Sequence, residues 1–260
     1  MSPLLLACAL VLAPLQDAAG ARARPSEEDV RRTVAELEAA LAGTDLARTR
    51  KALEAAQVVP DAAVVEAAAR ALALEPQEVV LAGLQCLRWN EHPSALESLH
   101  KAAKDKRLRR TPALATGLYR AIAWHGDARS IEVLTRDPLE PIEHLTIQAR
   151  ILGLGRIRTK DSVDALMRLL AMTPAQPGPN RRVLQPWMED FRVSLAMLTG
   201  VDQGLEPELW ESWWRENKKD LRVAPEPPVL AAALRDRWDR YWGDMRGYGR
   251  ERRREDRGKD

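Results

Sequence analysis

One pattern limits what this chain can fold into more than any other: an amphipathic segment that returns with a period in the thirties. Segments opening at Ala62 (AAVVEAAARAL), Ser94 (SALESLHKAA), Ser130 (SIEVLTR) and Ser162 (SVDALMRLL) start 32, 36 and 32 residues apart. Each places apolar residues at i, i+3 or i+4, and i+7, the spacing of one helix face. Each is followed by a second helical segment: VLAGLQCL from Val80, LATGLYRAIAW from Leu114, LTIQARILGLG from Leu145 and FRVSLAMLTG from Phe191. The second segments carry small residues on the face that would pack, so neighbouring pairs can approach closely. Three of them are preceded by the same punctuation, Glu75-Pro76, Thr111-Pro112 and Glu140-Pro141. Proline suits the first helical position, where its missing N–H is not needed. An earlier pair, about 27–41 and 46–57, brings the total to about five.

A unit of two helices cannot bury its apolar face alone; stacked copies bury it together. Composition agrees. The 45% apolar fraction holds only one Phe and three Tyr, and it is rich in the helix formers Ala and Leu. No long alternating β-branched run argues for strands.

The units resemble the HEAT repeat. The resemblance rests on the proline near the second helix, on the run ARILGLGRI, and on Asp127 and Asp161 at turns into the next unit. It covers about residues 27–200. It implies an all-α fold, a right-handed α-α superhelix of the HEAT-like solenoid type. Armadillo-type arrays and unrelated α-hairpin arrays satisfy the same period. The stretch LTGVDQGLEPELWESWWREN, 198–217, is similar to the ending that follows HEAT-like arrays in exported proteins of planctomycete-type bacteria.

That stretch puts three tryptophans within five residues. Trp210, Trp213 and Trp214 fall at i, i+3 and i+4, on one helix face. A repeat array exposes a raw apolar face at its end, and three indoles on one helix can cover it. The expectation is a Trp-rich capping segment over 201–224; the competing reading is a ligand platform. Beyond it, Ala224-Pro-Glu-Pro-Pro228 reads as a stiff linker. An amphipathic helix over about 229–245 carries Leu230, Leu234, Trp238, Tyr241 and Met245 on one stripe, with Trp242 beside it. It is expected to pack back on the array, or to dock in a partner's groove. The expected organisation is 1–23, 24–200, 201–224, 225–247 for linker and last helix, and a disordered charged tail over 248–260.

Residues 1–23 read as a signal peptide. LLLACALVLAPL has the length of an apolar h-region, and Ala19-Gly-Ala21 and Ala21-Arg-Ala23 fit cleavage. The protein is therefore expected in the periplasm or outside the cell. If the leader is removed, Cys86 is the remaining thiol and no intrachain disulfide can form.

Chemistry is sparse. No GxSxG, HExxH, P-loop or GxGxxG occurs in the sequence. No catalytic, cofactor-binding or metal-binding residue stands out. The net charge of +2 gives no overall signal for nucleic acid, although 235–260 holds ten Lys/Arg against seven Asp/Glu. His92 and His125 occupy equivalent turns near Glu91 and Asp127. A metal shared between them would support a metal-dependent enzyme. Arg120, Arg150 and Arg192 sit at comparable places in three second helices. They form either a row for an acidic or polyanionic partner or a ladder pairing turn aspartates such as Asp127 or Asp161. The Pro-rich insertion 173–183 suits a recognition loop or a tolerated insertion. The expectation is a monomeric, non-enzymatic scaffold that uses no cofactor and binds another protein.

Overall fold

The computed structural model describes residues 25–173, 176–177, 183–184 and 187–243. The expected signal peptide, the charged tail and most of the Pro-rich insertion lie outside them. Among the described residues the protein is helical, apart from a short antiparallel pairing of Gln176–Pro177 with Val183–Leu184.

The helices come in consecutive pairs. The first is α1 (Glu27–Leu41) with α2 (Leu46–Ala56). The second is α3 (Ala62–Ala69), prolonged by a 3-10 turn over Arg70–Ala73, with α4 (Gln77–Trp89). The third joins α5 (Pro93–Ala102) to α7 (Pro112–Trp124) through the short α6 (Lys106–Arg110). The fourth is α8 (Ser130–Thr135) with α9 (His144–Arg156), and the fifth α10 (Lys160–Met172) with α11 (Met188–Thr199). Two helices follow, α12 (Pro207–Asn217) and α13 (Ala232–Trp242). The second helices pack in chain order, α2 on α4, then α7, α9 and α11. On the other side α1 packs on α3, α3 on α5, α8 on α10, and α10 on α12.

Local chemistry sets the boundaries. Side-chain oxygens at the N-caps Ser26, Asp45, Asp61, Asp105, Glu143 and Thr159 each accept from a backbone N–H two or three residues on. Such caps satisfy donors that the first turn leaves without a partner. The punctuating prolines behave less uniformly than their spacing suggests. Pro112 does open α7, but Pro76 is the N-cap of α4. Pro141 stays outside α9, because Glu143 caps that helix two residues later and accepts from Thr146 N at 2.8 Å.

Close stacking depends on α9. A Cβ on Gly153 would lie 2.8 Å from Ala123 Cβ on α7, and one on Gly155 would lie 2.6 Å from Ser194 Cβ on α11. The two glycines thus let one helix sit tightly against both neighbours. The Gly155 side meets Ser194 backbone as well, with Cα at 2.8 Å. Gly155→Ala is therefore expected to destabilise by about 1–3 kcal/mol through overpacking, despite the better helix propensity of alanine. A chemical melt of the variant that matches or exceeds wild type would refute this packing.

Two clusters of buried residues form the interior, and α7 belongs to both. Leu114, Leu118, Ala121 and Ile122 join the earlier helices. Ala115, Tyr119 and Ala123 join the later ones. Cys86 lies in the earlier cluster, where burial pushes its thiol up to about 12. Among the described residues no helix is long and apolar enough to cross a membrane.

Candidate interaction surface

After α12 the chain turns at 218–220, bends at 225–226 and reaches α13, which lies over the row of second helices. Arg158, in the turn after α9, holds the linker through Nε to the Ala224 carbonyl at 2.8 Å and reaches the Met197 carbonyl at 2.7 Å. Val229 is 93% exposed. The stripe of α13 then buries Leu234, Trp238 and Trp242. Spacing at i, i+4 and i+8 explains why those three share a face.

The surface that receives α13 is built from arginines and tryptophans at the ends of α4, α7 and α9. The Arg88 guanidinium lies over the rings of Trp89, Trp124 and Trp242, with its carbon 4.9, 4.6 and 5.9 Å from the centroids. Arg156 lies 4.1 Å from the Trp124 centroid and 5.1 Å from that of Trp242, and donates Nε to the Trp124 carbonyl at 2.9 Å. Trp89 and Trp124 are 4.2 Å apart, and Trp124 and Trp242 6.2 Å. Cations over indole faces are attracted by the ring quadrupole. Arg120 caps the far end of α13, donating to the Tyr241 carbonyl at 2.8 Å while lying 4.6 Å over the Tyr241 ring. Midway along α13, Arg237 donates to Glu189 at 2.5 Å and to the buried Asp190 at 2.7 Å; Gln148 also donates to Asp190. The helix is thus held by Arg120 at its carbonyl end and by two carboxylates of α11 at its middle.

The seam is incompletely satisfied. Among the described residues, Arg120 Nε, Arg237 Nε, Tyr241 Oη and Trp242 Nε1 are buried without a hydrogen-bond partner. Burial pushes the Tyr241 phenol well above the ordinary tyrosine range, against the pull of Arg120 and Arg88. Beside the seam, a pocket of about 310 Å³ remains between Trp124, Arg156, Arg158, Pro225, Pro227 and Trp238.

The three arginines read from the sequence as one row are not brought together. Arg120 lies under α13. Arg150 is 1% exposed and is interior, which corrects its placement on an interaction surface. It donates to the carbonyls of Leu134, Arg136 and Glu140 and to Tyr119 Oη, at 2.6–3.1 Å, and so pins the loop between α8 and α9. Arg192 makes a two-pronged ion pair with Asp202 at 2.7 and 2.6 Å. The ladder reading had named Asp127 and Asp161. Asp127 instead pairs with Arg129, and Asp161 lies in the first turn of α10. The residues that do gather, Arg88, Arg156, Trp89 and Trp124, were not singled out. Their signal is position: each is the twelfth or thirteenth residue of its helix.

The tryptophans of α12 divide. Trp210 is fully buried and donates Nε1 to the Gly204 carbonyl at 3.0 Å. Trp214 is 9% exposed, and Trp213 is half-buried between them. Lys218 ties this helix to α10 through Asp164 at 2.9 Å.

Three of the four histidines already have hydrogen-bond partners for their rings. His92 caps α5, with Nδ1 2.7 Å from Ser94 Oγ. His125 Nε2 lies 3.2 Å from the Leu87 carbonyl, and His100 Nε2 2.9 Å from Ser130 Oγ. Among the described residues no group of three or more His, Cys, Asp or Glu is placed to hold a metal.

Burial lowers the pKa of His100 and His125 below the ordinary 6.5. Arg129 adds to the effect at His100; at His125 the Leu87 carbonyl opposes it, while His100 and Arg156 reinforce it. The folded protein therefore binds fewer protons than the unfolded chain below the ordinary histidine value. Stability is expected to be full above about pH 6.5 and to fall as the pH drops through the folded values. Replacing both with glutamine should flatten that slope between about pH 7 and 5 in urea melts; an unchanged slope would assign it to other groups.

No family model matches the chain, and no curated protein matches it.

Proposed function

We propose that the protein is an exported, HEAT-type α-solenoid that works as a non-enzymatic scaffold for another protein. The observation that carries this reading is that the row of second helices already receives a helix, α13, by aromatic–arginine contacts and by polar contacts at its carbonyl end and its middle. The consecutive pairing of helices and the caps between them support the repeat reading. Trp210 and Trp214 support the role of α12 in closing its end.

Tagged full-length protein, crosslinked in its native cells, should carry one or a few proteins in fixed ratio. Arg120→Glu, on the row of second helices, should change that set. Full-length protein recovered alone, with crosslinking shown to work, would remove the scaffold reading. Export has its own check: the mature N-terminus should be Arg22 or Arg24, and an intact Met1 in the cytoplasm would contradict it.

A further inference from the structure

We propose that the pocket of about 310 Å³ walled by the linker is a binding site for a small organic anion, a carboxylate carried on a compact apolar body. The proposal goes beyond the scaffold reading and does not depend on it. The carboxylate meets Arg156 and Arg158, and the body lies among Trp124, Trp238, Pro225 and Pro227. Small-molecule sites run from about 300 to 1,000 Å³, so this volume suits one ring or one short branched chain.

Both guanidiniums are fixed in place, yet each keeps donors in reserve. Arg156 lies over the Trp124 and Trp242 rings, 4.1 and 5.1 Å from their centroids, and donates Nε to the Trp124 carbonyl. Arg158 donates Nε to the Ala224 carbonyl and Nη1 to the Met197 carbonyl. That leaves Nη1 and Nη2 of Arg156 and Nη2 of Arg158. Among the described residues these three nitrogens make no hydrogen bond, and none is closed off from open space. Neither residue forms an ion pair among the described residues, whereas Arg70, Arg129, Arg192 and Arg237 each hold a carboxylate. Glu226, on the linker, is exposed and acts on Arg158 only through space. Burial lowers the pKa of both arginines from the ordinary value. A partly buried cation without a counter-charge is costly, and a ligand that brings one gains charge-assisted hydrogen bonds. The two Nη donors of Arg156 match the two oxygens of a carboxylate. The indole and proline walls ask for an apolar body behind that group. An occupant touches the turn after α9, the linker and Trp238 of α13 at once, so it also fastens the last helix to the array.

The test titrates the full chain with benzoate by calorimetry. Benzamide keeps the ring and removes the charge; inorganic phosphate keeps the charge and removes the ring. Benzoate should bind with a Kd of about 1 mM or tighter, as expected of so few atoms in a fitted site. Benzamide and phosphate should each bind at least about 10-fold more weakly. The tripeptide Ala-Ala-Phe, with a free or an amidated C-terminus, separates two sources of the same chemistry. Displacement of benzoate by the free form alone assigns the site to peptide ends, and displacement by neither assigns it to free small acids. Arg158→Gln should weaken benzoate at least about 10-fold. If that variant does not fold, the wild type decides by the indole N–H signals. Those of Trp124 and Trp238 should shift with benzoate, and that of Trp210, bonded to the Gly204 carbonyl, should not. Four results overturn the proposal: no binding of benzoate below about 10 mM, benzamide or phosphate binding as tightly, an unchanged Kd in Arg158→Gln, or shifts confined to other indoles.

Discussion

Arg150→Met should cost more than about 4 kcal/mol and bring the protein to the edge of unfolding. The guanidinium is 1% exposed, lies 3.9 Å over the Tyr119 ring, and donates to three carbonyls and one hydroxyl. Methionine fills much of the stem volume but supplies no donor. Each acceptor left buried without a partner costs about 1–3 kcal/mol, against a total stability of about 5–15 kcal/mol. The carbonyls belong to the last turn of α8 and the loop that follows it, so the loss falls where that helix turns back toward α9. Arg150→Lys keeps the charge and loses the planar fork that serves several acceptors at once, and it should fall between methionine and wild type. Urea melts measure both through the midpoint, provided the slope is unchanged. A methionine variant within about 1 kcal/mol of wild type would show that the bonds hold no net stability.

Trp210→Ala comes second. Truncating a buried tryptophan costs about 3–5 kcal/mol, and here the Gly204 carbonyl also loses its donor. Trp214→Ala should approach that loss. Trp213 is half-buried, edge-on to Trp210 at 6.1 Å and stacked on Trp214 at 6.4 Å. Its truncation should cost less than about 2 kcal/mol. The order Trp210, Trp214, Trp213 is the decisive part. Three variants melting like wild type would detach α12 from the core and return the indoles to the role of a ligand platform.

The helix pairs were legible because period and caps agree. Ser26 and Asp45 stand where the apolar periodicity begins, and the helices start one residue later, at Glu27 and Leu46. The common face of Trp210 and Trp214 followed from spacing alone. The arginine row did not, for a reason of register. Counted from each helix start, Arg120 is ninth, Arg150 seventh and Arg192 fifth. Two residues turn a side chain by about 200°, so successive members face nearly opposite ways. Arg120 and Trp124 are four apart on one helix and do share a face. Arg88 and Arg156 meet them because they end their helices at the same depth in the stack. That depth depends on starts moved by Pro76 and Glu143, which the punctuation placed one to three residues differently.

The two-sided burial of α7 has a consequence for how the chain comes apart. All buried members of the later cluster lie at or beyond Ala115, whereas the earlier cluster ends at Ile122. In a chain of nearest-neighbour couplings, each unit is stabilised by its neighbours and the weakest coupling sets where cooperativity breaks. Here α7 acts as a party wall between two such blocks. Fraying from Glu27 inward removes buried side chains from one block only until it reaches that wall, and the first contacts of the other block that it meets are those of Arg88 with Trp242 and of His100 with Ser130.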